Sequence, residues 1–339
     1  MDLSTTRPSD SKQHMNNFRK PRICILHLLD RCILKCKMCV FWKNTDYVPS
    51  VTLRSWEKFL VSLKEFSGEP MEIALVGGEP LMHNDIFRLI NLIHDLGFNS
   101  NLTSNGFLIN SSVAGKLVKS NLNRIALSLD SLNIQTHDYL RGRAGSYEKT
   151  INAIKYLRSF NSSLEIVIVA IIMDKNIDDI ISLVRWAQEN KDVNCITLQA
   201  VMQTLGEVPD RYWYKKDRYK ELWPQDINKV CQTLDCLIKL KEEGYYKISN
   251  SISQLKAYKE YFNNPGSFIR RQKICNCLDY SLFVNYRGQI YLCTDKSPIG
   301  HIDQDINEVY SSVKAQEARE QIISCKKNCH FLVNCNYEN

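Results

Sequence analysis

Six short strand-like segments recur between residues 22 and 199, and segments with apolar residues at helical spacing lie between them. No other feature constrains the fold of this chain so tightly. The strand-like runs fall at 22–28, 72–76, 99–103, 124–129, 164–173 and 194–198. Helical spacing is clearest at 53–66, where Leu53, Trp56, Phe59, Leu60 and Leu63 share one face. It recurs at 85–96, closed by Gly97, and at 113–118, 147–157, 177–189 and 226–244. Strands that alternate with helices over short connections build a parallel sheet covered by helices. Right-handed crossovers curl six such units into an open barrel, three-quarters of an eight-unit one. The expected fold class is α/β: a partial (β/α)6 TIM-like barrel followed by a small C-terminal cysteine-rich module. The division expected is a disordered or loosely docked tail at 1–20, a core barrel at 21–224, a helical connection at 225–274, and the module at 275–339.

In sheets of this kind ligands sit beyond the carboxyl ends of the strands. Four polar elements follow strand ends here. After the first comes Cys32-Ile-Leu-Lys-Cys36-Lys-Met-Cys39, after the second Gly77-Gly78-Glu79-Pro80, after the third Thr103-Ser104-Asn105-Gly106, and after the fourth Ser128 and Asp130. The sequence therefore converges four independent elements on one rim. The CxxxCxxC run offers three thiolates on one loop. A cubane cluster has four irons, so three cysteines leave one iron without a protein ligand. Cys36-Lys-Met-Cys39 alone would also suit a zinc knuckle, which needs a fourth ligand.

The cysteine loop resembles the CxxxCxΦC motif of the radical SAM superfamily, and the resemblance extends over residues 22–199. It implies that Cys32, Cys36 and Cys39 hold a 4Fe–4S cluster whose open iron is chelated by S-adenosylmethionine (SAM). Met38 stands at the Φ position, near the adenine, where many members carry an aromatic residue. Gly77-Gly78-Glu79-Pro80 matches the family's GGEP motif, with glycines for close backbone approach and an acceptor for the SAM ammonium group. Thr103, Ser104 and Asn105 lie where relatives contact the SAM ribose or the substrate. Ser128 matches a strand-end serine that touches SAM. Arg141 is a candidate partner for the SAM carboxylate or a surface arginine. His137 is read as structural or exposed.

Six of the chain's thirteen cysteines lie after residue 274. Cys275-Asn-Cys277 is followed by a hairpin pattern at 283–291 with Gly288 at its turn, then by Cys293. Cys325-Lys-Lys-Asn-Cys329 and Cys335 come later. This stretch resembles a truncated SPASM or twitch module, which holds auxiliary iron–sulfur clusters. Two fully ligated 4Fe–4S clusters need about eight thiolates, so one auxiliary cluster is expected. Cys277 and Cys293 are its firmest ligands, two of Cys325, Cys329 and Cys335 complete it, and Cys275 is the spare. A structural zinc ribbon is the alternative. Asp295 is either a proton acceptor or a turn residue. Cys24, Cys195, Cys231 and Cys236 sit on strand or helix patterns and read as core cysteines.

The net charge of +7 is scattered and forms no nucleic-acid arm, so the surplus suits an anionic ligand or partner. The first 20 residues carry no signal-peptide core, and the longest apolar stretch, 166–173, is far too short for a membrane span. With so many cysteines outside any disulfide pattern, a cytoplasmic protein is expected. The resemblance implies a SAM-cleaving enzyme that abstracts a hydrogen atom from a small-molecule or peptide substrate, fed by an external reductant such as flavodoxin or ferredoxin. An iron–sulfur electron carrier or a zinc scaffold is the alternative. About twenty residues precede the first strand, too few for a fused peptide-recognition domain.

Overall fold

The computed structural model describes residues 19–43, 51–160, 163–204, 207–208, 210–266, 275–278 and 280–334 of the chain. Six parallel strands come first: β1 (Ile23–His27), β2 (Glu72–Val76), β3 (Asn99–Ser104), β4 (Arg124–Ser128), β5 (Glu165–Ile172) and β6 (Cys195–Ala200). They lie side by side in chain order, each hydrogen-bonded to the next. Between them run α1 (Leu53–Ser67), α2 (Ile86–Asp95), α3 (Ser111–Lys119), α4 (Ile134–Arg141), α5 (Ser146–Arg158) and α6 (Ile180–Glu189). This is the expected partial barrel. Among the described residues no helix is long and apolar enough to cross a membrane.

Local chemistry explains the elements. In α1 the buried residues Trp56, Phe59, Leu60 and Leu63 repeat at helical spacing. Thr52 caps its start by accepting from the Ser55 N–H, and Gly68 ends it at φ 70°. The apolar run around residue 168 becomes β5, buried along most of its length, as a parallel strand covered on both faces must be. Helix α4 does not stand out in the hydrophobic pattern, being short and polar. Its signals are local: Asn133 accepts from the Thr136 N–H at its start, and Gly142 stops it at φ 64°.

After β6 the chain forms two short turns, then α7 (Ile227–Glu242) and α8 (Ile252–Asn263). Trp213, Tyr219 and Trp223 are buried, and the rings of Trp213 and Trp223 pack edge-on at 5.5 Å. Trp223 also packs on Tyr261 and Phe262 of α8.

The C-terminal segment departs most from the sequence reading. Its hairpin, β7 (Ser281–Val284) and β8 (Gln289–Tyr291), forms as the pattern suggests, with Gly288 at φ 80° in the turn. Yet β7 pairs in parallel with β1, so the hairpin and the short β9 (Gly300–His301) extend the barrel sheet to nine strands. The order is β6-β5-β4-β3-β2-β1-β7-β8-β9. Helices α9 (Ile306–Ser311), α10 (Val313–Ile323) and α11 (His330–Val333) follow.

Candidate active site

The cysteine loop is held by backbone contacts from two neighbouring units. The Leu28 N–H reaches the Val76 carbonyl at 2.9 Å, the Gly78 N–H reaches Leu29 O at 2.7 Å, and the Glu79 N–H reaches Arg31 O at 2.8 Å. A side chain at Gly78 would place its Cβ 2.0 Å from Arg31 O. The glycines of the Gly77-Gly78 turn thus admit the cysteine loop's own backbone. On the other side, Lys37 N donates to Leu140 O at 2.9 Å, and a Cβ on Gly142 would lie 2.1 Å from Lys35 O. The end of α4 is therefore seated directly on the loop. Trp42 locks it from within, its indole N–H lying 3.2 and 3.0 Å from the carbonyls of Cys36 and Cys39.

These contacts make a prediction. Gly78→Ala forces backbone against backbone, with an expected cost of about 1–3 kcal/mol, read as a lowered urea midpoint. Gly68→Ala, also at positive φ but in open space, tests backbone strain alone and should cost less.

The three thiols interact electrostatically. Burial pushes the Cys36 thiol up to about 12, against the opposing pull of the Arg141 charge. Burial also raises Cys32 and Cys39. The Leu34 N–H and the Asn105 amide point at Cys32 Sγ, at 3.4 and 3.6 Å. Asn105 is placed by Glu79, whose Oε2 accepts from the Asn105 N–H at 2.9 Å. The other carboxylate oxygen accepts from Ser104 Oγ at 2.8 Å and from the Leu81 N–H at 3.2 Å. Glu79 has no exposed surface, and burial pushes its carboxyl up to about 7 despite these donors. Its side chain braces the rim from inside.

Arg141 is no surface arginine. It is buried, pairs with Asp130 Oδ2 at 2.7 Å and donates to the Cys36 thiol. Asp130 in turn accepts from the Ile171 N–H at 3.0 Å. The Arg141 Nε has no hydrogen-bond partner, although it is sealed from water. His137 is a structural residue. Its Nδ1 accepts from the Asp130 N–H at 3.2 Å, and burial lowers its ring to about 3. Ser128 ends β4 half-buried, Thr103 is exposed near the end of β3, Pro80 is buried, and Met38 packs partly buried on the core.

At the far end of the chain, Cys277 contacts both Cys275 and Cys293 through their thiols. Cys275 thus lies beside Cys277, just before the short turn at Asn276–Leu278. The Asp295 N–H donates to Cys293 Sγ. Cys325 is exposed and Cys329 half-buried, while Cys335 lies outside the described residues. Among the described residues no three His, Cys, Asp or Glu side chains are gathered closely enough to hold a single metal ion as they stand.

A cavity of about 570 Å³ lies between the segment after β6 and the C-terminal segment. Cys329 and Asp295 line it from the C-terminal side, Tyr261 from α8, and Met202, Thr204 and Trp213 from the segment after β6. Thr204 Oγ1 donates to Met38 O of the cysteine loop at 3.3 Å. Asp295, a candidate proton acceptor in the sequence, forms an ion pair with Lys327 at 2.7 Å on this wall. Sequence spacing carried no sign of that partner, 32 residues away.

A thiol loop at the carboxyl rim of an incomplete parallel barrel defines the class of radical SAM proteins. Residues 26–187 match the model of the Radical SAM superfamily. Enzymes of this class use a 4Fe–4S cluster and SAM. The AdoMet-dependent heme synthase of Methanosarcina barkeri is 31% identical over 170 residues, 50% of this chain and 48% of that protein. The sporulation killing factor maturation protein SkfB of Bacillus subtilis is 27% identical over 164 residues, 48% of this chain and 39% of that one. The chain thus spans about half the length, or less, of these curated relatives. Among solved structures, Streptococcus suis SuiB bound to SAM superposes with a TM-score of 0.71 at 17% identity, over 98% of this chain and 80% of SuiB. SuiB has also been solved bound to its precursor peptide SuiA, with a TM-score of 0.69.

Proposed function

We propose that this chain reductively cleaves SAM and uses the resulting radical to take a hydrogen atom from a small-molecule or peptide substrate held in the cavity lined by Thr204 and Cys329. The observation that carries the reading is the Glu79–Asn105–Cys32 chain of contacts, which ties the ends of β2 and β3 to the thiol loop after β1. An electron carrier needs no such rim.

The residues fit the cofactors. Cys32, Cys36 and Cys39 are free thiols on one braced loop, the donor set of a three-cysteine cluster. The buried, unpartnered Arg141 Nε is a donor suited to the SAM carboxylate. Backbone groups of Gly77, Gly78 and Glu79, the side chains of Thr103 and Ser128, and Met38 complete the proposed SAM site. Ser104, Asn105 and Pro80 shape its wall. Glu79 supports that wall from behind, since its carboxylate is fully enclosed. When bound, the cluster and SAM supply the electron and the 5′-deoxyadenosyl radical. The chain supplies orientation and exclusion of water. Its loop buries Cys36, and Arg141 sets a positive charge against that sulfur.

One auxiliary 4Fe–4S cluster on Cys275, Cys277 and Cys293, with a further ligand from Cys325, Cys329 or Cys335, belongs to the same proposal. So do an external reductant such as flavodoxin or ferredoxin and a reducing, cytoplasmic setting. No disulfide joins the described cysteines, which suits that setting. SuiB and SkfB favour a peptide substrate, the heme synthase a small molecule.

Anaerobic reconstitution tests the reading. About eight irons per chain are expected, and 5′-deoxyadenosine should form when SAM and dithionite are added. Bound zinc without iron sinks the proposal, and iron without SAM cleavage leaves only an electron carrier.

A further inference from the structure

The charges on the cavity wall are unevenly matched. Three carboxylates line it, and each has its own cation. Glu207 pairs with Arg218, Asp210 with Lys216 at 2.8 Å, and Asp295 with Lys327 at 2.7 Å. Glu207 also accepts from the Tyr219 hydroxyl at 2.8 Å. Two cations on the same wall, Arg211 and Lys326, have no carboxylate partner among the described residues. Both are exposed, so they stand at the mouth, while Trp213 and Tyr261 are buried deeper.

This arrangement selects a ligand of particular chemistry. An anionic group at the mouth meets two cations that no carboxylate among the described residues pairs with. Arginine offers a planar fork of donors that matches carboxylate or phosphate, and lysine adds a point charge. A neutral or cationic group meets no such complement, since the wall's own carboxylates are already paired. The cavity's size is that of an ordinary small-ligand site. Thr204, on the same wall, touches the cysteine loop at Met38, so a ligand anchored at the mouth extends toward the radical source.

We infer that the substrate carries a carboxylate or phosphate group, and that Arg211 and Lys326 dock it at the cavity mouth. The inference rests on the proposed use of this cavity as the substrate site.

The test is calorimetry on the reconstituted full chain at low ionic strength. One probe is the blocked tetrapeptide Ala-Glu-Glu-Ala, with its Ala-Gln-Gln-Ala counterpart as control, and the other is inorganic phosphate. At least one anionic probe should bind, and the glutamate peptide, where it binds, should do so at least tenfold more tightly than its glutamine control. Phosphate binding without peptide binding identifies a small anionic substrate, and peptide binding identifies a peptide-borne carboxylate. Both support the inference. The paired change Arg211→Gln with Lys326→Gln should weaken binding at least tenfold, while Arg211→Lys with Lys326→Arg should largely keep it. The inference is overturned if neither anionic probe binds the wild-type chain, if the glutamine control binds as tightly as the glutamate peptide, or if the glutamine variant binds like wild type. SAM cleavage by the wild-type chain is read separately. Cleavage without anion preference removes the docking site alone, whereas anion binding without cleavage removes the enzyme reading alone.

Discussion

Replacing Cys32, Cys36 and Cys39 together by alanine is expected to abolish 5′-deoxyadenosine formation and to halve the iron content, from about eight to about four per chain. The fold should survive. The loop is held by main-chain contacts from Gly78, Glu79 and Lys37 and by the Trp42 indole, none of which uses a cysteine side chain. Among the three, only Cys36 is fully buried, so the cavities left by truncation are small. The circular-dichroism spectrum should therefore match wild type while the chemistry disappears. Retained SAM cleavage would show that the loop does not hold the reactive cluster. Loss of all iron would show that the C-terminal thiols hold no cluster of their own.

Arg141→Met is expected to cost about 3–5 kcal/mol, the usual effect of stranding a buried charge. Asp130 has no exposed surface, and Arg141 is its countercharge. Burial already raises the Asp130 carboxyl, and the arginine opposes that rise. Adding Asp130→Asn to Arg141→Met should recover more than half of the loss. An asparagine carbonyl can still accept from the Ile171 N–H, but it carries no charge to strand. Urea unfolding of wild type, both single variants and the double variant gives the coupling directly. If the two single losses simply add, the pair is not a coupled unit and the account of Arg141 is wrong. The single variant should also lose iron more readily than wild type, because Arg141 is the cation beside the Cys36 sulfur.

Much of this was legible in the sequence. All six barrel strands lie where the strand-like segments predict, and most of them are the near-continuous apolar stretches that a doubly covered parallel strand needs, β3 with only Leu102 apolar being the exception. The rim was legible too, since polar residues directly after such strands can only gather at one edge. Three things were not. Helix α4 is too short and polar for periodicity to register, although Asn133 and Gly142 mark its ends. The Arg141–Asp130 pair joins residues whose types alone do not distinguish a buried ion pair from two surface charges. The pairing of β7 with β1 depends on a contact between Ile23 and Ser281, and no local pattern encodes so distant a partner.

That last pairing has a consequence for how the molecule is made. Strand β1 leads into the cysteine loop, and its second neighbour in the sheet is synthesised some two hundred and fifty residues after it. Until residues 281–284 emerge, one side of β1 is an open edge with unpaired main-chain groups, the kind of surface that recruits other chains. A ribosome stalled before residue 281, or a chain cut there, therefore releases a barrel with its most reactive loop next to its stickiest edge. Closing that edge also brings in the hairpin that lies between Cys277 and Cys293. Protection from aggregation and arrival of the second thiol group are thus one event in the life of the chain.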